Sequence, residues 1–227
     1  MVTLMNDLSQ YLSRLPFCEH LSESEKALIL SNWSQRNYKK GQLIYSSSDE
    51  CLGHILVCSG TVRAYINSEE GREITLFRLA PDDTCVLSAS CVISQISFET
   101  QLTAVSDVSL LVLNAGVFKR LAEQNIYVKC YMYELISMRF SSVMQTMQQI
   151  IFMGYDKRLA IFLLSELEWT KKNEIKMTHE QIAEYTNSAR EVVARMLKRF
   201  ASDGILEYKR GSITVKNADL LRSFSEH

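Results

Sequence analysis

The stretch from Thr178 to Lys216, THEQIAEYTNSAREVVARMLKRFASDGILEYKRGSITVK, constrains the fold more than any other part of the chain. It holds two helix starts ten residues apart: Thr178 with Gln181 three on, and Ser188 with Glu191 three on. In each pair a hydroxyl and a longer polar side chain can satisfy one another's unpaired backbone donors, so a capping box is expected twice. Thr186-Asn187-Ser188 lies between them, and Asn is the residue after glycine that best tolerates a left-handed turn. The spacing predicts helix, tight turn, helix.

The second of these helices has two faces. Val193, Met196, Leu197 and Phe200 recur at three- and four-residue spacing as a buried stripe, while Arg190, Glu191, Ala194, Arg195 and Lys198 recur on the other side. Ser202-Asp203-Gly204 stops the helix. Ile205-Leu206-Glu207-Tyr208, a turn at Lys209-Arg210-Gly211 and Ser212-Ile213-Thr214-Val215 then read as a hairpin with a basic tip, in the place of the wing of a winged helix-turn-helix.

A helix fits the major groove of DNA, where a guanidinium can make two hydrogen bonds to guanine and a carboxylate can accept from cytosine. Arg190, Glu191 and Arg195 are the candidates for base reading. Thr178, Ser188, Lys198, Lys209, Arg210 and Lys216 are the candidates for phosphate contacts, the first through its helix N-terminus. An isolated Arg–Glu pair on a helix would be ordinary solvated surface. Two capped helices, a turn and a basic hairpin in one run point to double-stranded DNA.

At these residues the chain resembles the Crp/Fnr family of regulators. The cyclic-AMP-responsive branch of that family carries Arg-Glu-x-x-x-Arg on its recognition helix, matched here by Arg190, Glu191 and Arg195. The Asp156, Arg158, Leu159, Ala160 run and the order of the whole chain are also similar. The resemblance implies an α+β fold with an N-terminal cyclic-nucleotide-binding-like β-roll, a long dimerisation helix and a C-terminal winged helix-turn-helix. The expected boundaries are 1–124 for the roll, 125–154 for the helix and hinge, and 155–227 for the DNA-binding domain. It also implies RNA polymerase as a partner.

Composition sets the remaining limits. At 227 residues the chain has room for two domains, and with a net charge of −1 any DNA affinity must be local. It is local: Arg190 to Lys216 holds seven basic residues against three acidic ones. The sequence opens without a basic segment leading into an apolar run, and no apolar segment approaches the ~18 residues of a membrane span, so a cytoplasmic protein without a membrane partner is expected. Six cysteines are scattered without a CxxC pair, and the N-terminal cluster of the family's iron–sulfur branch is missing. No metal site, cofactor or catalytic residue is expected, since a phosphate-cradling glycine loop, a close metal-ligand pair and a Gly-x-Ser-x-Gly elbow are all lacking.

Taken in order, residues 4–15 and 22–33 read as short helices, the second opening with Ser22 and Glu25. From Asn37 short apolar strands alternate with turns at Gly41, Gly60 and Gly71, the pattern of a roll or sandwich. Asn114 is placed to cap a short helix, and Asp156 to cap the helix from Lys157 to Thr170. Past Asn125 a helix without Pro or Gly runs to Gly154. It carries Met132, Ile136, Phe140, Val143, Met147 and Ile150 at spacings of four, four, three, four and three, the expected seam of a homodimer that would read a palindrome.

The effector pocket departs from the family. Where cyclic-AMP binders carry Gly-Glu, this chain has Val86 and Leu87, and Phe98-Glu99-Thr100 stands near the place of their phosphate-binding Arg. Glu99 would repel a cyclic phosphate, so a response to cyclic AMP is not expected. The apolar run with Cys85, Leu87, Ser88 and Cys91 replaces that site, and its effector is unknown. Buried core thiols are the first reading of Cys85 and Cys91. A thiol, redox or small-ligand sensing module with DNA binding secondary is the alternative.

Overall fold

The computed structural model describes residues 2–46, 51–86 and 100–226, and the chain divides into two compact units. One comprises Met1–Glu70 and Leu76–Val143, the other Gly71–Thr75 and Met144–His227. The elements begin with helix α1 (Val2–Ser13), a single 3-10 turn at Cys18–His20 and helix α2 (Glu23–Asn32). Strands β1 (Trp33–Tyr38), β2 (Leu43–Tyr45), β3 (His54–Ser59), β4 (Val62–Asn67) and β5 (Glu73–Leu79) follow. Then come β6 (Thr84–Cys85), β7 (Gln101–Ala104), β8 (Val108–Leu113), helix α3 (Ala115–Gln124) and the long helix α4 (Ile126–Phe152).

The eight strands form two four-stranded sheets, ordered β1-β8-β3-β6 and β2-β7-β4-β5. Period-two alternation assigns the cores. Ile55 and Val57 of β3 and Leu110 and Val112 of β8 join Val62, Ala64 and Leu102 in the core that draws on both sheets. Leu56, Leu111 and Leu113 point the other way, into a second core with Ile29, Phe118, Leu121, Val128 and Leu135 from α2, α3 and α4. Both faces of β3 and β8 are thus covered, which is why these strands read as unbroken apolar runs. Full burial of each such side chain is worth about 1.5–3 kcal/mol. Gly53 (φ 104°) and Gly60 (φ 83°) lie where a Cβ would strike the backbone at Leu113 and Asp107, so these two turns require glycine.

Local chemistry sets the helix starts. Ser22 and Glu25 form the expected capping box, with Ser22 N donating to Glu25 Oε2 at 2.7 Å and Glu25 N to Ser22 Oγ at 3.3 Å. Asn114 caps α3 by accepting from the Gly116 and Val117 amides. The first strand starts at Trp33, four residues before the change of period, because Trp33 to Tyr38 pair with Leu113 to Val108. Cys85 lies in β6 opposite Ile55, so the stretch it opens begins as strand.

The second unit contains α5 (Tyr155–Thr170), β9 (Glu174–Ile175), α6 (His179–Tyr185), α7 (Arg190–Ser202), β10 (Leu206–Lys209), β11 (Ser212–Val215) and α8 (Ala218–Glu226). Its sheet has the order β10-β11-β9, and its core gathers Leu159, Leu163, Ile182, Val193, Leu197 and Phe200. Asp156 does not cap α5. The helix starts two residues earlier than expected, at Tyr155 with Gly154 as N-cap, which puts Asp156 inside the first turn, where it accepts from the Lys157 amide. Helix α8 was not anticipated from the sequence; Leu221 and Phe224 seat it in the core, Phe224 edge-on to Phe200.

One polar chain is buried in the first unit. His54, 1% exposed, has Nε2 3.2 Å from the Tyr131 hydroxyl, which donates to Thr84 Oγ1 at 2.9 Å. Because the tyrosine proton is directed at Thr84, His54 Nε2 carries the hydrogen given to Tyr131, and Nδ1 has no partner among the described residues. Burial lowers the His54 pKa to about 4 and raises that of Tyr131 to about 12. The unfolded chain takes up a proton near pH ~6.5 that the folded chain refuses until about 4, so stability from this residue falls as pH drops through that window, by about 3 kcal/mol in all. His54→Gln keeps a donor for Tyr131 and does not titrate. Urea unfolding between pH 7 and 4.5 should lose stability less steeply in this variant, and equal slopes would contradict the assignment.

Candidate DNA-binding site

Thr178 begins the site. Its Oγ1 accepts from the Gln181 amide at 3.2 Å and its own amide donates to Gln181 Oε1 at 2.9 Å, the predicted capping box at the start of α6. Ile182 and Ala183 turn inward, and Thr186 ends the helix with its hydroxyl on the Ile182 carbonyl at 2.6 Å. Two side chains of α5 hold the turn: Tyr155 Oη lies 3.0 Å from Thr186 Oγ1, and Arg158 Nη1 donates to the Thr186 carbonyl at 3.3 Å. Asn187 takes the left-handed conformation (φ 52°) expected of it.

The second capping box is not formed. Helix α7 starts at Arg190 with Ala189 as N-cap and no side-chain cap, because the turn fixes Ser188 through its amide on the Ala183 carbonyl at 2.9 Å. Ser188 therefore precedes the cap position, and Glu191 falls in the first turn, where its charge suits the helix dipole.

Helix α7 buries Val193, Leu197 and Phe200 completely. Arg190, Glu191, Arg195 and Lys198 are all exposed on the same helix, and Ala194 among them is half-buried. Glu180 of α6, which the sequence reading passed over, lies 3.9 Å from Arg190 Nε and links the two helices of the motif. Both groups are largely exposed, so this pair orients the guanidinium more than it stabilises the fold.

In the wing, β10 and β11 pair from Leu206↔Val215 to Lys209↔Ser212, with Gly211 (φ 78°) closing the turn after Arg210. Ser212 Oγ donates to Glu174 Oε1 at 2.7 Å, tying the hairpin to β9 and holding the Glu174 carboxyl below its usual range. Lys209 and Arg210 are exposed at the tip, whereas Lys216 is paired with Glu207 at 2.9 Å. The His179 and Tyr208 rings, 5.8 Å apart, join the start of α6 to the wing. Thr178, Lys198, Lys209, Arg210 and Lys216 are all exposed, and Ser188 is half-buried.

Comparison with known proteins agrees with this geometry. Residues 157–224 match the Crp-like helix-turn-helix domain, and residues 35–125 match the cyclic nucleotide-binding domain. A crystal structure of a protein from Eubacterium rectale, assigned as a transcriptional regulator of the Crp/Fnr family, is 40% identical, covers 93% of this chain and 98% of that one, and superposes with a TM-score of 0.87. The chain belongs to the Crp/Fnr family. The cyclic AMP receptor protein of Thermus thermophilus is 25% identical over 92% of this chain and 96% of its own length. The regulatory protein HlyX of Actinobacillus pleuropneumoniae is 28% identical over 91% and 88%. The protein is a Crp/Fnr-type transcription regulator with a helix-turn-helix DNA-binding domain.

In this Crp/Fnr chain the expected effector pocket is only partly within the described residues. Cys85 is fully buried and packs between the sheets, and Val86 is fully buried in the helix-covered core. Leu87, Ser88, Cys91 and Glu99 lie outside the described residues. No group of His, Cys, Asp and Glu able to hold a metal occurs among the described residues, and no helix there is long and apolar enough to cross a membrane.

The residues of the expected α4 seam differ in burial. Met132, 7% exposed, packs in the chain's own core beside Tyr131 and Leu135, and Ile136 packs against that core. Val143 and Ile150 are half-buried, while Phe140 and Met147 are exposed. The residues that are exposed in regular succession are Ile126, Cys130, Tyr133, Ser137, Phe140, Met144, Met147 and Ile151, at alternating spacings of four and three. These positions make a heptad-spaced exposed stripe on the side of α4 opposite its buried residues. Cys130 and Ser137 interrupt its hydrophobicity, which hid it in the sequence.

The caps offer a direct check. Thr178→Ala should lower stability by about 1 kcal/mol in chemical denaturation, as loss of a helix cap does, whereas Ser188→Ala should change it by well under half of that. Equal losses would restore Ser188 as a cap.

Proposed function

We propose that this regulator acts as a homodimer on a palindromic DNA site and does not respond to cyclic AMP. The observation that carries the DNA reading is the exposed set Arg190, Glu191 and Arg195 on a helix whose opposite side is buried. Arg190 and Arg195 take guanine edges and Glu191 accepts from cytosine. Thr178, Ser188, Lys198, Lys209, Arg210 and Lys216 hold phosphates; Lys216 must first leave Glu207, a weak exposed pair. The heptad seam of α4 pairs with a second copy and sets two recognition helices one DNA turn apart. Residues 1–124 then serve as sensor, 125–154 as dimerisation helix and hinge, and 155–227 as DNA-binding domain.

The relative from Thermus thermophilus is named for cyclic AMP, yet the residues that would hold a cyclic phosphate are absent from this sequence. In keeping with the family, RNA polymerase is the protein partner, the site of action is the cytoplasm, and no catalytic step is involved.

Arg190→Ala or Arg195→Ala should cost about 1–3 kcal/mol of discrimination at a guanine position, while Lys209→Ala should weaken all sequences alike and reduce the salt slope by about one. Cyclic AMP added to the same titrations should leave affinity unchanged. Equal losses on specific and random DNA would refute base reading, and a marked rise with cyclic AMP would refute the pocket argument. Sedimentation of Phe140→Glu/Met147→Glu should find monomers, since two charges per helix would be buried in the seam. A dimer as tight as the parent would reject that seam.

A further inference from the structure

A cavity of about 380 Å³ opens among the end of α1, the Pro81–Thr84 turn and α4, within the first unit. It lies on the helix-covered side of the β1-β8-β3-β6 sheet, since Leu56 and Leu135 in its wall belong to that core and not to the core that draws on both sheets. The volume is at the small end of the ~300–1,000 Å³ range of ligand pockets. Leu15, Pro16, Leu56, Leu135 and Met138 give it an apolar wall, with the rings of Tyr11 and Tyr131 beside them.

The polar groups of the wall differ in what they have left to offer. Asp82 is engaged with Arg14 at 2.7 Å, and Asp83 Oδ2 accepts from the Ala80 amide at 2.8 Å. The donors are not used up. Along the buried chain, His54 Nε2–H donates to Tyr131 and Tyr131 donates to Thr84 Oγ1, so the Thr84 hydroxyl, an acceptor in that chain, keeps its own hydrogen to give. Among the described residues Arg139 donates one hydrogen bond, from Nη2 to the Thr84 carbonyl at 2.6 Å; its Nε is shielded and turned away from the cavity, which leaves the terminal nitrogens as the donors it can offer. Its guanidinium also lies over the Phe77 ring, 4.9 Å from the centre, which helps to hold it in place. A hydroxyl with two hydrogen bonds behind it and a guanidinium whose terminal nitrogens make one bond among the described residues therefore meet at Thr84, in a cavity whose wall is mostly apolar. What fits is a small molecule with one anionic acceptor and an apolar body.

We propose that this cavity is a binding site for a small apolar monocarboxylate, its carboxylate on Arg139 and the Thr84 hydroxyl and its hydrocarbon part on Leu15, Leu56, Leu135 and Met138. The assignment is independent of the DNA reading. Because Tyr131, Leu135, Met138 and Arg139 all belong to α4, the site meets that helix on the side away from its exposed heptad seam.

Calorimetry on the full-length protein tests it, with 3-phenylpropionate as probe and 3-phenylpropanamide as its uncharged counterpart. The carboxylate should bind with saturation and at least about tenfold tighter than the amide, the scale of one charge-assisted hydrogen bond. Arg139→Gln should remove that preference, and Thr84→Val should weaken the carboxylate more than the amide. Arg139 also braces Phe77 and Thr84, so Met138→Trp serves as a second variant: Met138 is 53% exposed, and the larger ring should fill the cavity and abolish binding with the circular dichroism unchanged. No saturation by about 10 mM, equal binding of carboxylate and amide, or full binding in Met138→Trp would each overturn the site.

Discussion

Burial of Val193, Leu197 and Phe200 decides how α7 can be used. Once these three side chains occupy the core with Leu159, Leu163 and Ile182, the helix is held against rotation, and Arg190, Glu191 and Arg195 are left exposed. The exposed pair of Glu180 with Arg190, at 3.9 Å, acts on the guanidinium alone and contributes little to how the helix itself is seated. The turn is held by groups facing inward: Tyr155 and Arg158 on Thr186, and the Ser188 amide on Ala183. A rigid apolar seat beneath a charged surface is what sequence reading of DNA needs, since a bidentate contact tolerates little displacement.

The long helix α4 meets a harder requirement, because it is apolar on two sides. Val128, Tyr131, Met132 and Leu135 belong to the core over the sheet, and Phe140, Met144, Met147 and Ile151 face outward. Its buried face also carries polar groups, Tyr131 in the chain from His54 to Thr84 and Arg139 on the Thr84 carbonyl. Those polar bonds and the outward apolar residues therefore belong to opposite faces of one helix.

Much of this was legible in the sequence where the cause is local. Thr178 with Gln181 and Ser22 with Glu25 close their boxes within one turn, and Asn187 takes the left-handed turn its side chain tolerates. Ser188 failed because tertiary placement of the turn, not its spacing from Glu191, fixed the helix start. The strand at Trp33 begins where its partner Leu113 lies, a pairing invisible to a local window. The two faces of α4 were not separable for a related reason: on a helix with two apolar faces, Met132 and Tyr133 are both plausible outward choices, and only burial separates them. The donors that meet at Thr84 left no signal either, since their bonds join residues 47 to 77 apart in the chain.

The central claim is that two copies of one exposed helix face read DNA together, and selection from a random-sequence duplex pool by the purified full-length protein tests it most directly. The account predicts a two-fold-symmetric motif whose half-sites are centred about 10 base pairs apart, with strong guanine preference in each half. A motif without symmetry would contradict the paired reading, and retention of all sequences alike would contradict base reading by α7.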